Sequence, residues 1–300
     1  MKRLTLSLIW LLNLTFLLQI NTATTSNLTE DVTFRLFTVN NKYDWRNLGF
    51  DVKNLTSSGF DFNKDTKIIT HGFLNNGSGF SCIALRDAFL KHYDLNVIII
   101  DYKNIANDIF SLPQSKINEV GGYVAKFLNF LFDSKYNGTK IHLLGHSLGG
   151  HVMGYAASHA KNGTVGRVSG LDPALTMLIT DGLNSNVAEF VDVIHTCKGI
   201  FGAKQSLGTV DFWPNGGIGK NQPSCSGLGS IICSHYEAVR YMSRSINDTQ
   251  RYPAHRCDSY TDFKYRKCEN NDVQYMGIAT NYSAKGNYYL CTQNESDYLN

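Results

Sequence analysis

The sequence predicts a single α/β domain, with a mostly parallel central sheet and helices on both of its faces. Three observations predict it. Strand-like and helix-like segments alternate along the body of the chain. Asn96–Tyr102 (NVIIIDY) is a nearly unbroken apolar run, the pattern of a strand buried on both faces of a parallel sheet. A Gly-His-Ser-Leu-Gly turn at 145–149 joins another such run to a Gly/Ala-rich helical segment.

The chain opens with Lys2 and Arg3 before the apolar run Leu4–Ile20 and the small polar stretch Asn21–Ser26, which has the layout of a secretory signal. Cleavage is expected near Ala23, giving a signal peptide over 1–23 and a folded domain over 27–300. The run approaches spanning length, so an uncleaved anchor is the alternative. Thr66–Thr70 (TKIIT) then predicts a strand, and Ser81–Tyr93 a helix with Ile83, Leu85, Ala88 and Phe89 at helical spacing. After the Asn96–Tyr102 strand, Glu119–Phe132 predicts a helix with Val120, Val124, Phe127, Leu128 and Leu131 on one side. Lys140–Leu144 predicts a strand, Leu148–Ala160 a helix, and Val165–Leu171 and Val191–His195 further strands. Gly and Asn cluster at 74–80, 202–230 and 277–287, which read as loops. No repeat or proline-rich linker divides the chain.

Asn-x-Ser/Thr acceptors at Asn27, Asn54, Asn76, Asn137, Asn162, Asn247, Asn281 and Asn294 fit a glycosylated, exported surface. Seven cysteines then read as disulfides with one thiol left over, and no CxxC pair suggests zinc. Net charge is +3, of which Lys2 and Arg3 supply two. With no basic run, a nucleic-acid partner is not expected. No second apolar stretch reaches spanning length, so the mature chain is expected to be soluble.

Gly145-His146-Ser147-Leu148-Gly149 matches the G-x-S-x-G nucleophile elbow, in which a strand turns sharply into a helix and presents the serine hydroxyl. The helix dipole beside Ser147 favours developing negative charge. On this pattern the acid and the base follow in that order. Asp172 in Gly-Leu-Asp-Pro ends a β run where a proline sets the turn, which places its carboxylate at the strand's C-terminal edge. Of the later histidines, His195 ends an apolar strand and His255 lies in an unpatterned region. His235 is expected to open a helix whose Ser234 and Glu237 form a capping box, a position that disfavours the imidazolium and leaves a neutral base. Candidate oxyanion donors are the backbone N–H groups of Leu148, after the nucleophile, and of Phe73, after the first strand. A dinucleotide site is excluded, because G-x-G-x-x-G is absent around Gly149-Gly150.

These residues resemble the secreted animal lipases related to pancreatic lipase, a family that includes insect phospholipases A1. THGF at 70–73, NVIIIDY at 96–102, GHSLGGHVMGYAA at 145–157, GLDPA at 170–174, VDVIHT at 191–196, DFWPNGG at 211–217 and CSH at 233–235 carry the resemblance. It implies an α/β-hydrolase fold, Ser147, Asp172 and His235 as a catalytic triad, and Phe73 and Leu148 as oxyanion-hole amides. It also implies a lid disulfide, Cys225–Cys233, and a second, Cys257–Cys268. That leaves Cys82, Cys197 and Cys291, with Cys82–Cys197 as the suggested pair. The lid pair encloses only Ser226–Ile232, and the segment Cys197–Thr209 is also short. In the family such short loops go with phospholipase A1 rather than triacylglycerol lipase activity. A cofactor-binding β-sandwich is expected to be absent, so no colipase-type partner is expected. No metal or other cofactor is expected. The substrate is expected to be a lipid ester at a membrane or lipoprotein interface, which Leu228, Ile231, Ile232, Ile200 and Phe201 either meet directly or, as loop anchors, do not. The contrasting class is a non-catalytic lipid carrier or yolk-type storage protein. Retention of all three triad positions opposes it.

Overall fold

Alternate residues of each central strand feed two separate cores, and that alternation sets the architecture. The computed structural model describes residues 27–292 except 109–112, 176, 178 and 221, so the expected signal segment and the Asn294 sequon lie outside it. The strands are β1 (Thr33–Phe37), β2 (Arg46–Asn47), β3 (Thr66–Thr70), β4 (Asn96–Asp101), β5 (Ile141–His146), β6 (Arg167–Leu171), β7 (Phe190–Ile194), β8 (Val210–Pro214), β9 (Pro253–Arg256), β10 (Val273–Tyr275) and β11 (Gly286–Leu290). They form one sheet in the order β10-β9-β11-β8-β7-β6-β5-β3-β4-β1-β2. The run from β11 to β4 is parallel throughout, and antiparallel strands close both edges.

The long helices are α1 (Phe80–His92), α2 (Pro113–Asp133), α3 (Leu148–His159) and α4 (Ser230–Asn247). Ile68, Ile98 and Leu143 point to the face covered by α2 and α3, where Val120, Phe127, Val152 and Met153 meet them. Their neighbours Ile69, Ile99 and Leu144 point to the other face, against Leu85 and Phe89 of α1 and Val239 and Met242 of α4. Apolar burial of this extent is the main stabilising force. This is an α/β-hydrolase fold, with the C-terminal edges of β3, β5, β6 and β7 side by side.

Several sequence expectations shift. α2 starts at Pro113, well before Glu119, because proline lacks only an N–H that has no partner in a helix's first turn. The expected loop 202–230 contains β8, and 277–287 includes the start of β11; short strands amid Gly-rich segments leave little periodic signal. The alternating strand β1 was not anticipated either. Both implied disulfides are formed. The suggested Cys82–Cys197 bridge is not: both are free and buried, Cys82 on α1 and Cys197 in the turn after β7. Six of the seven described sequon asparagines are exposed and Asn54 is half-buried. No helix among the described residues is long and apolar enough to cross a membrane.

At the opposite end of the sheet from the GxSxG turn, Arg167 makes a fully buried bidentate pair with Asp192, at 2.8 and 3.0 Å. Ser169 donates to the same carboxylate at 2.6 Å and meets His142 at 2.7 Å. Burial and the nearby Arg167 charge hold His142 well below the ordinary histidine range, so it stays neutral. Removing one partner strands a buried charge. Asp192→Leu is expected to cost about 3–5 kcal/mol of folding stability, read from the shift of the urea unfolding midpoint at constant slope.

Candidate active site

Three strand ends and one helix build the site. β5 ends at His146, and the chain reverses at Ser147 with φ 57° and ψ −125°, a conformation that costs a side-chain-bearing residue about 1–3 kcal/mol. Close packing holds the turn. The Ser147 N–H donates to the Leu171 carbonyl at 3.1 Å. A Cβ at Gly145 would lie 2.2 Å from the Gly149 oxygen, one at Gly149 2.3 Å from the His71 oxygen, and one at Gly72 2.8 Å from Ser147 Cβ. Only glycine allows these approaches. α3 begins immediately at Leu148, so its first amides have no intrahelical acceptor and face the serine's end of the helix.

Asp172 follows β6 directly and is fully buried. Its Oδ2 lies 2.6 Å from His235 Nδ1. Its Oδ1 accepts from the backbone N–H groups of Thr196 and Cys197 at 2.8 and 2.9 Å. The Asp–His contact puts the proton on Nδ1 and leaves Nε2 as the basic nitrogen. His235 in turn is anchored by the residue before Ser147: its backbone carbonyl accepts from His146 Nε2 at 2.9 Å, and the two rings lie 4.5 Å apart. Burial and the neighbouring His235 hold His146 well below the ordinary range, so it serves as a neutral donor. Tyr236 stacks on the His146 ring at 4.7 Å and accepts from Asn75 Nδ2 at 2.9 Å.

The expected helix start at His235, capped by Ser234, is wrong. α4 begins at Ser230 with Gly229 before it, so His235 lies in the second turn and Ser234–Glu237 is no capping box. Ser234 Oγ is buried without a hydrogen-bond partner, and Glu237 pairs with Arg240 at 2.7 Å. Starting a turn earlier supplies carbonyl acceptors to the amides at 234–236, which would otherwise be orphaned beside the buried site. Orientation of His235 therefore comes from Asp172 and His146 rather than from a helix cap.

His195 is buried against Asp211 at 2.7 Å and stacked on Trp213, as its strand-end position suggested. His255 lies on β9, between β10 and β11 near one edge of the sheet. Burial pushes the Cys82 thiol to about 12 and that of Cys197 to about 11, so neither is a thiolate nucleophile. Cys225, Cys233 and Glu237 cluster, but the two sulfurs are joined to each other, which leaves no thiolate set for a metal.

Phe73, Leu74, Ile200, Phe201, Leu228 and Ile232 are exposed, and Ile231 is half-buried. The Phe201 ring lies 5.3 Å from that of His235. The segment Ser226–Ile232 is a turn running into α4, and Leu228 at its tip is fully exposed.

Sequence reasoning missed four contributors: the Thr196 and Cys197 amides, His146, and the Asp101–Tyr102 pair next to His71. Backbone donors leave no residue signature. Asp101, an acid closing an unbroken apolar strand, did have one. It pairs with Arg35 at 2.5 Å. Burial raises its pKa, but His71, Arg35 and the Gly77 N–H outweigh burial and hold it at about 2. A carboxyl depressed on folding adds stability above its unfolded value near 3.8 that is lost as pH falls toward about 2. Asp101→Asn is therefore expected to flatten the fall in stability over that window, measured by urea unfolding at stepped pH.

A sequence model of the Lipase family matches residues 12–298. Pancreatic triacylglycerol lipase from Cavia porcellus is 31% identical over 89% of this chain and 65% of its own length. The Homo sapiens enzyme of that name is 30% identical over 88% of this chain and 64% of its own. Pancreatic lipase-related protein 2 from Cavia porcellus is 32% identical over 78% and 56%. The chain thus spans a little under two thirds of the length of these relatives.

Proposed function

The chain belongs to the lipase family, and on that premise we propose that it hydrolyses carboxyl esters of lipids through an acyl-enzyme. The observation that carries this reading is the fully buried Asp172 bonded at 2.6 Å to His235, whose backbone is tied by His146 to the strained turn at Ser147. His235 Nε2 takes the Ser147 proton as Oγ attacks the acyl carbonyl. Asp172 holds the imidazole in the productive tautomer and stabilises its cation. The Phe73 and Leu148 amides receive the oxyanion, the alcohol leaves with the proton from His235, and water repeats the sequence on the acyl-enzyme. Two disulfides and exposed sequons support an extracellular setting.

Within this chemistry we assign the sn-1 ester of a phospholipid as substrate and a membrane or lipoprotein surface as its setting. The short Ser226–Ile232 turn supports it, because seven residues leave no long flap to cover a polar head group. The names of the relatives favour a second reading, triacylglycerol. A colipase-type partner and a metal have no part in the proposal.

Purified protein and its Ser147→Ala variant, assayed on phosphatidylcholine and triolein, test both levels. Fatty-acid release by the parent alone is expected; equal release by both proteins, or none by either, overturns the enzyme. Faster hydrolysis of triolein replaces the phospholipid with the glyceride. Asp172→Asn is expected to lower kcat on the order of 10⁴-fold, because its amide favours the wrong imidazole tautomer.

A further inference from the structure

We propose that His71, clamped between Asp101 and Tyr102, is a positioning residue that aims the Phe73 N–H at the oxyanion. The inference rests on the acyl-enzyme reading above and assigns a role to a buried cluster that the reading leaves unused.

The His71 side chain is completely buried one residue beyond β3. Its Nδ1 lies 3.0 Å from the carbonyl of Gly72. That carbonyl can only accept, so Nδ1 carries the proton and donates. The Gly72–Phe73 peptide is planar and trans, with its N–H directed opposite to its C=O. Drawing the Gly72 oxygen toward the imidazole therefore turns the Phe73 N–H the other way. Gly72 itself lies against the nucleophile, with no room for a Cβ beside Ser147. This is the place where an amide rotated out of line loses the developing anion.

The imidazole is fixed on its remaining sides. Its face stacks on Tyr102 with centroids 4.3 Å apart and 11° between planes. Its Nε2 lies 3.2 Å from Asp101 Oδ1, and Asp101 is held by Arg35 and by the Lys103 N–H at 3.1 Å. The Tyr102 hydroxyl donates at 2.7 Å to the carbonyl of His71, tying down the preceding peptide as well. Consecutive carbonyls at 71 and 72 are thus both engaged by one cluster. A buried cluster of this kind is a poor device for stability, because apolar side chains of similar volume commonly serve as well. Preorganised donors, by contrast, are among the largest contributions to acyl transfer.

The test uses the full secreted chain and a soluble short-chain p-nitrophenyl ester, with kcat and KM measured separately, alongside the rate at which a p-nitrophenyl phosphonate modifies Ser147. His71→Leu is expected to lower kcat and phosphonylation by about 10²-fold, with KM little changed. His71→Asn is expected to recover most of the loss, because its amide can reach the Gly72 carbonyl from the Nδ1 position. Tyr102→Phe is expected to lower kcat several-fold with the melting temperature retained. Equal kcat in His71→Leu and the parent, no rescue by Asn relative to Leu, or a loss confined to KM overturns the inference. If His71→Leu does not fold, Tyr102→Phe decides, and unchanged kcat overturns it. Ser147→Ala runs in parallel: if it retains activity, the acyl-enzyme reading falls, whereas an inactive Ser147→Ala beside a fully active His71→Leu sinks only the role of His71.

Discussion

A carboxylate sealed from water governs the architecture of the site. Asp172 cannot remain ionised in the interior without donors for both oxygens, because an unpaired buried charge costs several kcal/mol. Three donors answer that need, and they come from distant parts of the chain: two amides in the turn after β7 and the imidazole on α4. Meeting them fixes where β7 must stop, how the following turn must bend, and how α4 must approach the sheet. Even Gly202 belongs to this demand, since a Cβ there would lie 2.4 Å from Asp172 Oδ1.

The second constraint is the reversal at Ser147. A strained backbone persists only where its surroundings over-determine it. Here β3, β5 and α3 crowd together at Gly72, Gly145 and Gly149, closer than any side chain would permit. The strain and the packing serve one end, which is to hold a hydroxyl at a helix N-terminus beside the His71–Phe73 strand exit. His146 links the two constraints, since it precedes Ser147 and bonds the backbone of His235, whose ring Asp172 holds.

Around these rigid parts lies a rim of exposed apolar side chains on short turns. Rigid strand ends with loops around them are a general solution for placing chemistry at the C-terminal edge of a parallel sheet. The disulfide Cys225–Cys233 ties the turn bearing Leu228 to the start of α4, so the loop beside His235 is anchored at both ends.

The α/β pattern, the parallel core strands, and Ser147 and Asp172 at strand ends were legible in the sequence, because strand burial and strand-to-helix turns are local events written in neighbouring residues. His235 was singled out from a helix start that the fold moves: a short S-x-x-E pattern resembles a helix cap, and only the fold shows α4 starting five residues earlier. The disulfide partner suggested for Cys82 failed because a pairing depends on where two distant segments lie, which spacing along the chain does not encode. By itself, then, the sequence determined which side chains are available and which turns present them. The tertiary structure alone decided that Thr196 and Cys197 offer their amides to Asp172, that His146 braces His235, and that Asp101 and Tyr102 clamp His71. Each of these is a contact between segments far apart in the chain, made by groups whose partners are chosen only when the sheet brings its strand ends together.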